Sequence, residues 1–301
     1  QGNLPPATAP GELNIDVKGP LVKSIGNYNY TAYFVDSFSR YVFIAFLRDR
    51  SELLKATELV IAEFNGLVGV PVDEDGKQSA QRPRVHTIVR DHEGQFESKA
   101  YTDLRAKEHL HDQSSPPYDH DLNGIAERII RTIDEKATAM RTYAADDGKK
   151  NYWPYFIRHA VDWHNNLPCS AGSSTADPLI TPHQRLTLQM PKVLDLATIG
   201  CQAVVLAPPG PKGTISPRGL VGVYLGRSRT SRKAHEVIVG NRIIQSQSVA
   251  VDEETYPWSN TPDKPLAPAC RPSLPAPAAA LGAPTEEAER RADANQQADS
   301  Q

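Results

Sequence analysis

The distribution of apolar residues predicts an α/β protein with a second, all-β unit behind it. Two observations carry the first part. Strand-like runs and helix-periodic stretches alternate over residues 12–168, and a helix-length segment separates the third strand from the fourth. The second unit rests on residues 200–258, where short apolar runs are punctuated by Gly, Pro and Ser.

Residues 1–11 are rich in Pro, Gly and Ala and read as a linker. Glu12 to Val17, Tyr30 to Asp36 and Arg40 to Arg48 are expected strands, and the short turn Ser37-Phe38-Ser39 makes the last two part of an antiparallel meander. From Ser51 to Leu67, apolar residues at 54, 59, 60, 61, 64 and 67 give an amphipathic helix, with Ser51 as its expected amino-terminal cap. A charged excursion, Val70 to Arg84, leads into the strand Arg84 to Arg90. That strand runs parallel to the first if the helix crosses over, because a parallel connection needs a dozen or more residues.

Ser98 to His109 reads as a helix and Asp112 to Leu122 as a polar loop containing Pro116-Pro117. A long helix follows from Asn123 to Ala144. On it Glu127, Arg131 and Asp134 or Glu135 share one face, while Ile129, Ile133, Ala137 and Met140 can turn to the core. The helix Asn151 to Asn165 carries Trp153, Phe156, Ile157 and Trp163, read as core packing rather than as platforms for bases. Residues 169–199 are a connector, 200–258 are expected to close into a small basic β-barrel, and 259–301, rich in Pro, Ala, Glu and Gln, are expected to be disordered.

Composition narrows the function. The cysteines, Cys169, Cys201 and Cys270, are scattered and form no Cys-x-x-Cys pair, which suits a reducing compartment and argues against a zinc or redox site. His109-Leu110-His111 has no partner at zinc-like spacing. His92 and His120 could meet phosphate when protonated, but turn residues are the simpler reading. No Gly-x-x-x-x-Gly-Lys loop supports nucleotide hydrolysis. The longest apolar run, Tyr41 to Leu47, is far shorter than the roughly 20 residues of a membrane span, and the first residues do not resemble a signal peptide. The formal net charge is −3, yet residues 191–250 hold eight basic against two acidic residues, a local balance of +6. A basic module on an acidic core fits a polyanionic partner; a merely solvated basic face is the plainer alternative.

Three carboxylates stand out among the 36 acidic residues. Asp16 lies in Leu13-Asn14-Ile15-Asp16-Val17, Asp91 closes Val85-His86-Thr87-Ile88-Val89-Arg90-Asp91, and Glu127 follows after 35 intervening residues in Ile125-Ala126-Glu127-Arg128-Ile129-Ile130-Arg131. Two strand ends and one helix each present one. Mg²⁺ prefers such hard oxygen donors, and two ions about 3.5–4 Å apart can stabilise both attacking and leaving oxygens of an in-line displacement at phosphorus. An isolated acidic residue is more often a solvated charge, so position rather than spacing singles these out.

These blocks carry a resemblance. Asp16-Val17-Lys18-Gly19-Pro20, Arg90-Asp91-His92-Glu93-Gly94-Gln95-Phe96, and Ser115-Pro116-Pro117-Tyr118 through Asn123-Gly124-Ile125-Ala126-Glu127-Arg128 resemble the signature blocks of integrases of copia-type long-terminal-repeat retrotransposons. Trp153, Asn165, Pro168, Thr181-Pro182, Gly200-Cys201 and Gly222-Val223-Tyr224-Leu225-Gly226 resemble downstream landmarks, so the likeness runs from about Glu12 to Trp258. The chain departs from the pattern at His92-Glu93 and at His120-Asp121-Leu122, and it has no zinc module of paired His and Cys.

The resemblance implies a ribonuclease-H-like core with a mixed five-stranded sheet flanked by helices. It implies that Asp16, Asp91 and Glu127 hold Mg²⁺, with Mn²⁺ as substitute, and join 3′ ends of element DNA to target DNA. Double-stranded DNA, further copies of the chain and a reverse transcriptase in the same polyprotein are the implied partners, and the nucleus the implied location. Asn123 and Gly124 would let the chain turn close to DNA. Arg128, Arg131, Lys212, Arg218, Arg227, Arg229, Arg232 and Lys233 are the candidate phosphate contacts. Two alternatives stand beside this reading: a catalytically decayed DNA-binding remnant, suggested by Glu93 and Asp121, and a nuclease of the ribonuclease H type.

Overall fold

The computed structural model describes residues 7–71, 82–90, 94–114, 124–145, 151–168, 179–191, 197–206, 219–231 and 233–258. β1 (Glu12–Lys18), β2 (Tyr30–Asp36) and β3 (Val42–Leu47) form the expected antiparallel meander. Arg40 turns the chain between β2 and β3 in the left-handed region, at φ 65°. The buried Asp36 carboxylate braces that turn, accepting from Ser39 N at 2.7 Å and from Gly11 N at 2.9 Å.

α1 (Leu53–Leu67) crosses over to β4 (Thr87–Arg90), which pairs parallel with β1. The expected cap is displaced. Asp49, rather than Ser51, caps the 3-10 turn Arg50–Glu52 that leads into the helix, accepting from Ser51 N at 2.7 Å. α2 (Lys99–Glu108) is capped by Ser98 and ends at His109 in the left-handed region. The chain then enters β5 (His111–Ser114), parallel to β4, where a polar loop was expected from Asp112. These residues are polar because β5 is an edge strand, so the apolar alternation of a central strand is missing. The sheet order is β3-β2-β1-β4-β5, a mixed five-stranded sheet with β1 at its centre.

Helices cover both faces. Leu13, Ile15 and Val17 point to the α1 and α2 side, in one cluster with Phe64, Ile88, Tyr101 and Leu104. Tyr33, Val35 and Val42 point to the other side, against α3 (Gly124–Tyr143) and α4 (Trp153–Asn166). Ile129, Ile133 and Ala137 are buried there, as the helical period requires, and so are Trp153, Phe156 and Ile157. Asn165 closes the outer edge of the sheet by pairing with the Val42 backbone as another strand would. Its Oδ1 accepts from Val42 N and its Nδ2 donates to Val42 O, each at 2.9 Å. A short α5 (Pro182–Thr187) follows, capped by Thr181, whose Oγ1 accepts from Gln184 N at 3.1 Å.

β6 (Gln202–Leu206), β7 (Gly219–Arg227), β8 (His235–Val239), β9 (Arg242–Ser246) and β10 (Val249–Asp252) form a second, antiparallel five-stranded sheet in the order β10-β6-β7-β8-β9. The expectation of a closed barrel is corrected to this open sheet. β10 returns to β6, and among the described residues β9 and β10 remain as unpaired edges. Leu225 and Ile238 of this sheet join the α3 and α4 cluster. Two ion pairs hold it to α4: Arg158 Nη2 to Glu236 Oε2 at 2.6 Å and Arg229 Nη2 to Asp162 Oδ1 at 3.0 Å. Gly200 sits where the chain enters β6, at φ 88°, and a Cβ there would stand 2.3 Å from the Ala144 methyl, so only glycine fits. The expected tail, residues 259–301, lies outside the described residues.

Candidate active site

Strand alternation decides which way Asp16 points. Leu13, Ile15 and Val17 face α1 and α2, so Asn14, Asp16 and Lys18 face α3 and α4. Asp16 stands directly opposite Tyr33 in the β1–β2 register and is half-buried.

A strap of three side chains sets α3 on this face. Lys18 Nζ donates to Asp134 Oδ2, and the Tyr33 hydroxyl donates to Asp134 Oδ1 at 2.6 Å. The Tyr33 phenol is held protonated, its pKa pushed far up by burial first, then by the Asp134 charge and hydrogen bond, and by the charge of Asp16. Tyr33 is therefore a fixed donor, and Asp134 has both oxygens engaged.

Glu127 lies in the first turn of α3, half-buried, where the helix dipole favours a carboxylate. It is two turns ahead of Asp134, roughly 10.5 Å along the axis. Asp16 precedes Lys18 by two residues, roughly 6.6 Å along the strand. One cavity is lined by Lys18 at the end of β1, by Leu21 and Val22 after it, and by Asp134, Ala137 and Arg141 on α3. Two of the three expected carboxylates are carried by facing elements.

Asp91 lies outside the described residues. Its predecessor, Arg90, ends β4 beside Ile15, the residue before Asp16. Arg90 is locked there by a bidentate pair with Asp112, Nε to Oδ1 at 2.9 Å and Nη2 to Oδ2 at 2.8 Å, and lies over the rings of Phe96 and Tyr101. Among the described residues no group of three or more His, Cys, Asp or Glu side chains comes together to hold a metal ion.

The expected DNA contacts divide. Gly124 opens α3. Arg128 and Arg131 are exposed on that helix; Arg128 Nε donates only to the carbonyl of Gly124, at 3.2 Å, and neither forms an ion pair with Glu127, Asp134 or Glu135 among the described residues. Lys233 is exposed in the β7–β8 turn, and Arg227 is half-buried at the end of β7. Arg229 is exposed and pairs with Asp162 at 3.0 Å and, at 4.0 Å, with Glu63. Asn123, Lys212, Arg218 and Arg232 lie outside the described residues.

Sequence reasoning missed the strap. Its signals were present, since Lys18 is two residues beyond Asp16 and Asp134 seven beyond Glu127, the repeats that keep a residue on the same face of a strand and of a helix.

Comparison with known proteins agrees with the motifs. The chain is 28% identical over 250 residues to the retrovirus-related Pol polyprotein from transposon RE2 of Arabidopsis thaliana, covering 82% of this chain and 16% of that polyprotein. The polyprotein from transposon RE1 of the same plant matches at 28% over 250 residues, covering 81% and 15%. That from transposon TNT 1-94 of Nicotiana tabacum matches at 23% over 212 residues, covering 70% and 14%. No protein-family model matches. The relatives are Pol polyproteins of copia-type transposons, as the signature blocks indicate. The chain spans less than a fifth of their length. Among solved structures, the catalytic core domain of BIV integrase is similar with a TM-score of 0.37 and 14% identity, over 57% of this chain and 91% of that domain, too loosely to transfer any residue. No helix among the described residues is long and apolar enough to cross a membrane.

Proposed function

We propose that this chain is the integrase part of a retrotransposon polyprotein, joining 3′-hydroxyl ends of element DNA to phosphodiesters of target DNA. One observation carries the proposal: the Lys18–Asp134–Tyr33 strap holds the helix of Glu127 against the face of β1 that bears Asp16.

The donor set suits a hard divalent cation. Asp16 and Glu127, with Asp91 as the third member by sequence, offer carboxylate oxygens and no soft ligand, which fits Mg²⁺ or Mn²⁺. Such ions, when bound, would neutralise the phosphate and lower the pKa of the attacking hydroxyl. The protein's own part is positional. Asp134, occupied by Lys18 and Tyr33, does not compete with Asp16 and Glu127 for a cation. Arg128 and Arg131, exposed beyond Glu127 on the same helix, can meet phosphate oxygens and fix the register of the duplex without reading its sequence. Glu93 and Asp121 leave the three carboxylates themselves unchanged.

Asp16→Asn and Glu127→Gln keep the shape of each side chain and remove its charge. Each should lower strand transfer with Mg²⁺ or Mn²⁺ by about 10²–10³-fold, the scale of losing one preorganised electrostatic contact. Unchanged joining of element ends by both variants would end the enzymatic reading.

A further inference from the structure

We propose that Arg90 and Asp112 are positioning residues for the candidate metal site, setting the register of β5 on β4 and so the two chain ends that lead to Asp91 and to Glu127. The inference rests on the reading of Asp16, Asp91 and Glu127 as the cation-holding carboxylates and adds a contact that reading does not contain.

β1, β4 and β5 run parallel, and in open α/β sheets ligands bind beyond the carboxyl ends of such strands. Arg90 is the last residue of both ladders there, opposite Ile15 of β1 and opposite Ser114 of β5. Asp91 follows it directly in the chain, and residues 115–123 lead from β5 to α3, whose first turn carries Glu127. The β4–β5 register is therefore common to both approaches.

The apolar pattern does not fix that register. β5 is His111-Asp112-Gln113-Ser114, and a polar strand without apolar alternation is prone to slip along its neighbour. The Arg90–Asp112 fork supplies the missing constraint. Asp112 stands opposite Ile88, so Arg90 reaches it diagonally, two positions along the strand, through Nε at 2.9 Å and Nη2 at 2.8 Å. A slip of one residue would turn Asp112 to the other face of the sheet, and a slip of two would carry its carboxylate about 6.6 Å along the strand.

The fork is itself held. The Tyr101 hydroxyl donates to Asp112 Oδ1 at 3.0 Å, and the Arg90 guanidinium lies 4.9 Å from the ring centroid of Phe96 and 5.5 Å from that of Tyr101. The Arg90 and Asp112 side chains are only 7% and 9% exposed. Replacing such a pair by apolar side chains of similar volume often costs no stability, so what a bidentate pair adds is orientation. Arg90 points to the α2 side, with Phe96 and Tyr101, while Asp16 points to the α3 side, so the effect of Arg90 on the site runs through the strands.

The test measures Mn²⁺ binding by the full chain, with no DNA and no turnover, by electron paramagnetic resonance of the free ion during titration. The native chain and Asp16→Asn set the scale. Arg90→Lys keeps the charge and loses the fork, whereas Arg90→Met combined with Asp112→Leu keeps the packing and loses both charges. Each should bind Mn²⁺ about tenfold more weakly than the native chain, the low end of what groups supporting a metal's ligands are worth. Thermal melting of the double variant should stay close to that of the native chain, whereas a contact that only stabilised the fold would shift melting and leave affinity alone. Native affinity in either variant, once folded, overturns the positioning role, and Arg90→Lys decides if the double variant does not fold. Native affinity in Asp16→Asn ends the metal-site reading and the role of Arg90 with it. Weak binding by Asp16→Asn beside native binding by Arg90→Lys ends the role of Arg90 alone.

Discussion

The two faces of the central strand differ in kind. On one side Leu13 and Ile15 are buried, with Val17 packed against them, under α1 and α2 in a cluster closed to water. On the other, Asp16 and Lys18 are half-buried under α3, and the polar groups there are tied to one another by Lys18, Tyr33 and Asp134. A period of two assigns every second residue of a strand to each face, so one strand presents an apolar face to one helical layer and a polar face to the other. Because β1 is central, with β2 and β4 bonded to its two edges, the position of Asp16 is set by the whole sheet.

That contrast can be broken from either side. The largest effect should come from the apolar face. Ile15→Ala removes a side chain that is 2% exposed and should cost about 2–5 kcal/mol in denaturant unfolding. A cost under about 1 kcal/mol would mean that the α1 and α2 layer does not support the strand as described.

Burial on the far side of α4 should show through pH. His159 on α4 is buried, and its pKa is pushed down to about 4 by that burial and then by the charge of Arg158, while its Nε2 accepts from the Trp163 indole at 2.9 Å. A depressed histidine leaves stability intact above its unfolded value near 6.5 and forfeits it as pH falls through the folded value. The loss should therefore develop between about pH 6.5 and 4 and amount to roughly 3 kcal/mol. Melting curves across that range for the native chain and His159→Gln should converge toward the acid end; parallel curves would refute the assignment.

The smallest effect sharpens the comparison most. Tyr33→Phe deletes a single hydroxyl and should cost about 0.5–1.5 kcal/mol, the net worth of one hydrogen bond. If the strap positions α3, strand transfer should fall by more than this stability loss explains, with Mn²⁺ affinity falling alongside it. A change in melting temperature without a change in metal affinity would reduce the strap to a structural contact.

Much of this was legible in the residues. The meander, the crossover helix and the two later helices followed from period-two and period-3.6 apolar patterns, because burial of one face is what makes each element stable. β5 was not, since an edge strand of His, Asp, Gln and Ser has no buried alternation to betray it. The open form of the second sheet was equally hidden. Which strand β10 joins depends on where the chain returns, and short apolar runs look the same in a barrel and in a sheet. The pairing of Arg229 with Asp162 was hidden as well, because sequence shows charge and not neighbours and the two lie 67 residues apart along the chain.

By itself the sequence determined the types of residue available for the chemistry: carboxylates at 16, 91 and 127, each in a segment whose local pattern marks it as strand end or helix start. Only the tertiary structure decided which charges pair with one another across the fold. Lys18 and Asp134 neutralise each other and fasten α3, Arg229 and Asp162 help fasten the second sheet, and Arg128 and Arg131 are exposed. The reason is physical. A charge's role depends on what lies within a few ångströms of it and how much water remains there, and both are fixed only when distant segments meet.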